Sequence, residues 1–124
     1  MVKRYVAEAG SDHVRDAMEQ AEGWFMCRAG FVETARATGL VAGPAATNAF
    51  TGEWPAFGIV EIDQQLADRA AALALAHDLR TLDALHLAAV LLLPREELVF
   101  ATWDRRLHLA ANAEGLQLLP GTLD

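Results

Sequence analysis

Three carboxylates in this chain stand where their surroundings do not account for them. In the run from Leu82 to Leu93 only Asp83 and His86 are polar, so a helix there is apolar almost all round and must be buried. An ionised carboxylate in such a place needs a cation or hydrogen-bond donors. Asp83 is therefore paired with Arg80, bound to a metal, or set where the helix end meets solvent. His86, three residues on, shares nearly the same face and reads first as a core histidine satisfied by a neighbour. Asp104 directly follows an apolar run, Leu98 to Ala101, and opens a helical pattern. It reads equally well as an N-cap, with Thr102 helping in the same turn, and as a ligand group at the carboxyl end of a parallel strand. Glu33 is the weakest of the three, since an acidic residue early in a helix also suits the helix dipole.

The elements that must position these groups alternate between helical periods and short apolar runs, with neither a linker nor a repeat. That alternation predicts an α/β domain with a largely parallel sheet. Ser11 is expected to cap a helix reaching about Glu22, with Val14, Ala17, Met18 and Ala21 on one face. Trp24 to Cys27 reads as a buried strand, followed by a helix carrying Phe31, Val32, Glu33 and Ala35 as far as Gly39. Gly52 and Pro55 argue for a loop over 43–55. Phe57 to Ile62 is the next strand, and Asp63 caps a long helix with Leu66, Ala70, Leu73 and His77 on one face. The strand 98–101, a helix from Asp104 to Gly115 and a closing strand 116–119 stopped by Pro120 complete the pattern.

Composition narrows the function classes. A length of 124 residues with 53% hydrophobic side chains is that of one folded domain, and we expect a single domain over 1–124. The longest near-apolar stretch is too short and too interrupted to cross a bilayer, and Met1 to Arg4 does not open a secretory segment, so a cytoplasmic protein with no membrane association is expected. Cys27, the single cysteine, cannot build a thiolate cluster, and any metal would be held by carboxylates or histidines. A net charge of −7 opposes non-specific attraction to nucleic acid. Either nucleic acid is not the partner, or a metal and local arginines supply the positive charge. The basic residues cluster only as Lys3-Arg4 and Arg105-Arg106, with Arg28, Arg36 and Arg80 between.

Taken in order, these segments resemble the PIN-domain ribonucleases, specifically the VapC toxins of toxin–antitoxin pairs. Val2 to Ser11 resembles the segment after the first catalytic aspartate of that family. Phe31-Val32-Glu33-Thr34-Ala35-Arg36-Ala37 is similar to the helix bearing the second acidic residue. Leu79 to Ala88, with its Leu-Asp-Ala-Leu-His-Leu-Ala core, is similar to the block bearing the third, and Ala101 to Leu107 to the fourth, Thr102 standing where the family often has Ser or Thr. The resemblance covers essentially the whole chain. It implies a PIN-like α/β domain whose parallel sheet is sandwiched by helices, with Glu33, Asp83 and Asp104 converging as catalytic, metal-ligating carboxylates. Thr102, Arg80 and Arg105 would bind substrate, with Arg106 a further phosphate partner. The cofactor would be Mg²⁺ or Mn²⁺, hard cations that prefer oxygen ligands. The implied reaction is metal-dependent hydrolysis of RNA phosphodiesters, and the cation also reconciles an acidic protein with an anionic substrate.

The same resemblance implies a short hydrophobic strand ending in Asp-Thr or Asp-Ser ahead of the Val2 match, and Met1 comes after it. The expected fold therefore lacks the family's first strand and first metal-ligating aspartate, through a start codon assigned too late or a truncated paralogue. Two readings follow: an endoribonuclease toxin of a type II toxin–antitoxin system, active once the missing strand is supplied, or a catalytically impaired PIN-like module that binds an antitoxin or dimerises. The expected partners are a cognate VapB-like antitoxin, RNA and a second copy of the chain. The homodimer is expected partly because Tyr5, Val6, Val14, Met18, Trp24 and Phe25 crowd the amino-terminal region with large apolar groups.

Overall fold

The computed structural model describes residues 1–123. It divides into two compact units, the second beginning at Ile62. Both are α/β, helix-rich with parallel strand pairs.

In the first unit, α1 (Val2–Tyr5) and α2 (Ser11–Gln20) precede β1 (Trp24–Cys27), and α3 (Arg28–Ala42) and α4 (Pro44–Glu53) lead through a single 3₁₀ turn, Trp54–Ala56, to β2 (Phe57–Val60). β1 and β2 pair in parallel, with Trp24 opposite Phe57 and Cys27 opposite Val60. Ser11 does not cap α2. The cap position belongs to Gly10, at φ 88°, while the Ser11 hydroxyl donates to Val6 O at 2.8 Å and accepts from Glu8 N at 3.0 Å. A serine side chain competes for local backbone groups wherever the chain turns, and here it closes the turn before the helix.

The expected loop over 43–55 is the second departure. Ten of its residues form α4, begun by Pro44 at the first helical position, where a proline loses no hydrogen bond and its fixed φ is already helical. Gly39 likewise does not end α3, which runs on to Ala42 and stops at Gly43, at φ 79°. A Cβ on Gly39 would lie 3.0 Å from the Thr47 hydroxyl, so the bare glycine lets α4 approach α3 closely.

What α4 brings to the core is Phe50, which is fully buried. Its ring lies 5.3 Å from Tyr5, 5.6 Å from Phe31, 5.6 Å from Trp54 and 6.2 Å from Phe57, mostly edge-on or tilted, the arrangement that the ring quadrupoles favour. Of the apolar groups expected to crowd the amino-terminal region, Val6, Val14 and Met18 are buried within this unit. Tyr5 packs on Phe50, and the Trp24 indole donates to Met18 O at 2.8 Å. Phe25 alone among the six is largely exposed, at 54%. Of the six groups named from the sequence, one ring is thus left largely uncovered, while Val32, Leu40 and Val41 of α3 are exposed as well.

Arg4 ties α1 to the end of α4. Its guanidinium donates to both carboxylate oxygens of Glu53, at 3.0 and 2.8 Å, and lies over the Trp24 ring at 4.6 Å. The hydrogen bonds from Arg4 hold the Glu53 carboxyl below its ordinary value, whereas burial pushes the Tyr5 phenol upward. For a depressed carboxylate pKa the contribution to stability is present above the unfolded value, roughly 4.3, and is lost as pH falls through the lower folded value. Because the Glu53 side chain is 37% exposed, solvent screening limits the effect to about 1 kcal/mol or less. Acid titration of the unfolding midpoint should therefore show a smaller loss below pH ~4 in Glu53→Gln than in the parent, and identical acid profiles would refute the assignment.

In the second unit, α5 (Gln64–His77) packs on α6 (Thr81–Leu91), and α7 (Arg105–Ala113) packs on α6 and on β4 (Gln117–Leu119), which pairs in parallel with β3 (Val99–Ala101). Asp63 caps α5 as the sequence predicts, accepting from Leu66 N at 2.9 Å. Leu66, Ala70 and Leu73 are buried, and His77 on the same face lies 2.8 Å from Glu114. The apolar α6 is the core of this unit, with Ala84 and the run Leu87 to Leu91 buried. The two strand pairs are separate, so the expected sheet is present as one parallel pair in each unit. Among the described residues no helix is long and apolar enough to cross a membrane.

Candidate functional site

The carboxyl end of β3 leads into two of the candidate residues, Thr102 and Asp104. Register pairs Ala101 with Leu119, and Thr102 N continues the ladder by donating to Leu119 O at 3.0 Å. The chain then turns. Asp104 N donates to the Thr102 hydroxyl at 3.2 Å, and Asp104 Oδ1 accepts from Leu107 N at 2.9 Å, starting α7. Asp104 is thus an N-cap, and its second carboxylate oxygen is not required by that role. Thr102, expected to contact substrate, has its hydroxyl engaged in fixing the turn.

Asp83 is the third residue of α6, half-buried in the first turn. Its place is therefore a helix end rather than the apolar interior, although the helix beyond it is as buried as the sequence requires. His86 is half-buried one turn on. Asp83 and Asp104 line one recess of about 360 Å³ together with Arg80, Trp103, Arg105 and Arg106. Arg80 is the residue preceding α6, and Arg105 and Arg106 open α7. Arg106 also reaches Asp78 at the end of α5, 3.4 Å from its carboxylate. Arg80, Arg105 and Arg106 share the recess with Asp83 and Asp104, and with Asp78 paired to Arg106 the formal charges around it balance.

Glu33 is in the first unit, exposed on α3. Among the described residues no three His, Cys, Asp or Glu side chains are grouped to hold a metal ion. The donor set of the recess nonetheless suits a hard cation. Mg²⁺ takes oxygen ligands, keeps several waters, and is commonly held by one or two carboxylates with substrate phosphates completing its shell. Asp83 and Asp104 are carboxylates of the kind that could hold such a cation, and guanidinium groups such as those of the flanking arginines suit phosphate.

The sequence assigns no role to Trp103, which stands between a threonine and an Asp-Arg-Arg run at a strand end and lines the same recess.

The PIN domain family matches residues 5–113. The chain belongs to the PIN-domain family. The match extends from α1 in the first unit to the end of α7 in the second, and so takes in Glu33, Asp83 and Asp104. Over 71 residues this PIN-domain chain is 45% identical to Ribonuclease VapC45 of Mycobacterium tuberculosis (strain CDC 1551 / Oshkosh) and equally to Ribonuclease VapC49 of Mycobacterium tuberculosis (strain ATCC 25618 / H37Rv). The aligned stretch is 57% of this chain and 49% of each relative, so the chain spans about half the length of the relatives it matches.

Asp104 separates a structural role from a chemical one. Asp104→Ala should destabilise the second unit by about 1 kcal/mol, whereas Asp104→Asn, which keeps a capping oxygen, should change stability by a few tenths at most. Thermal unfolding of the two variants checks this, and equal losses would show that the cap contributes nothing.

Proposed function

We propose that this PIN domain is a metal-dependent endoribonuclease of VapC type, the toxin of a type II toxin–antitoxin pair. The observation that carries the reading is the recess at the end of β3 in which Asp83 and Asp104 stand among Arg80, Arg105 and Arg106. Asp83 and Asp104 would hold Mg²⁺ or Mn²⁺, with Glu33 as the third carboxylate; Glu33 enters from the family resemblance alone. When bound, such a cation supplies an activated water and offsets charge on the phosphodiester under attack. Arg80, Arg105 and Arg106 would bind the phosphates on either side of the scissile bond, and the Thr102 hydroxyl would hold Asp104 in place for its ligand role. In this reading residues 1–124 act as one PIN-like domain, neutralised by a VapB-like antitoxin whose basic segment complements the acidic groups of the site. A homodimer is carried over from the resemblance.

The test is cleavage of single-stranded RNA by the purified chain with Mg²⁺ or Mn²⁺ and with excess chelator. Cleavage that depends on the added metal supports the reading. Activity that survives in chelator would show a different chemistry, and inactivity with either metal would favour the impaired, partner-binding module. Co-expression with the neighbouring open reading frame tests the antitoxin, which should co-purify and block cleavage.

A further inference from the structure

Trp103 lines the recess beside both carboxylates and all three arginines, yet neither metal binding nor phosphate binding requires an indole. Its position is fixed from both sides: Thr102 is bound through its backbone to β4, and Asp104 is bound to the Thr102 hydroxyl and to the first turn of α7. Trp103 is therefore carried on a turn pinned on both sides rather than on a free loop, and the residue is half-buried at the recess. A recess of about 360 Å³ lies within the size range of small-ligand clefts. Aromatic rings that share a groove with arginines bind single strands by stacking on unpaired bases while the cations follow the backbone. A base held in a duplex has no exposed face to offer.

We infer that Trp103 is a substrate-recognition residue, stacking on an unpaired base next to the phosphate held by the recess. This rests on the ribonuclease reading for the identity of the ligand, but its test does not need turnover. Binding of a short labelled single-stranded RNA is followed by fluorescence anisotropy with Mg²⁺, in an Asp83→Asn background to prevent cleavage. Trp103→Ala should weaken binding about tenfold, and Trp103→Phe, which keeps a stacking face, should stay within about threefold. An otherwise identical abasic strand should bind equally well to the parent and to the Trp103→Ala variant. A matching duplex should bind the parent more weakly than the single strand.

Should Trp103→Ala fail to fold, the parent's preference for base-bearing over abasic RNA and the Trp103→Phe value decide the matter. Unchanged binding in Trp103→Ala, an equal loss on base-bearing and abasic strands, or no discrimination by the parent would each overturn the inference. So would an absence of RNA binding together with capture of an arginine-bearing peptide that Trp103→Ala abolishes. Base-dependent binding without metal-dependent cleavage would sink the ribonuclease reading while leaving the stacking role intact; cleavage indifferent to Trp103→Ala would do the reverse.

Discussion

Asp83→Asn is expected to lower metal-dependent RNA cleavage by orders of magnitude while leaving the domain folded. Asp83 occupies the first turn of α6, half-buried, on the same recess as Asp104. An amide preserves its shape and one acceptor oxygen but removes the negative charge that attracts a hard cation. The loss should therefore be chemical rather than structural. The charge removed also lies where it suits the positive end of α6, a contribution of roughly 0.3–1 kcal/mol, so a small drop in stability should accompany a far larger drop in rate. Cleavage measured against metal concentration, with circular dichroism on the same samples, separates the two. A variant that cleaves at the parent's rate would remove Asp83 from the site, and one that unfolds would make it a structural residue.

Phe50→Ala should cost about 3–5 kcal/mol, the usual range for removing a fully buried aromatic side chain. Phe50 is completely excluded from solvent and has four aromatic neighbours, Tyr5, Phe31, Trp54 and Phe57. These rings come from α1, α3, the 3₁₀ turn and β2. Truncation leaves a cavity bounded by rigid rings that cannot collapse to fill it, and against a typical total stability of roughly 5–15 kcal/mol the remainder is small. Phe50→Leu, which refills much of the space, should recover a substantial part. Denaturant midpoints of the two variants provide the check. A loss below about 1 kcal/mol for Phe50→Ala would show that the aromatic cluster is not the core of the first unit.

The role of Phe50 was hidden in the sequence, and the reason is local. Gly52 and Pro55 dominate a reading by breaker residues, yet Gly52 falls near the end of α4 and Pro55 beyond it, where neither interrupts a helical hydrogen bond. Pro44 at the first helical position promotes the helix that its residue type would forbid further along. Ser11 misleads for a related reason. Its hydroxyl has two sets of backbone partners within reach, and only the path of the chain through Val6 and Glu8 selects the turn over the cap.

By itself the sequence determined the alternating α/β pattern, the cap at Asp63, the buried run of α6 and the three acidic blocks, and offered the cap at Asp104 as one of two roles, because each depends on residues close together in the chain. Periodicity, capping and strand-end position are local properties; α5 and α7 carry side-chain caps and α6 its apolar run. Tertiary structure decided what those properties leave open. It set Asp83 at a helix end on an open recess rather than in the apolar interior, and gathered Arg80 from before α6 and Arg105 and Arg106 from α7 around the same space. It also brought Trp103 together with Arg80 and Asp83, which lie some twenty residues earlier in the chain, a separation that no local pattern spans. Which side chains share a recess depends on how β3, α6 and α7 pack, and that packing is the collective outcome of burying Leu87, Leu107 and their neighbours.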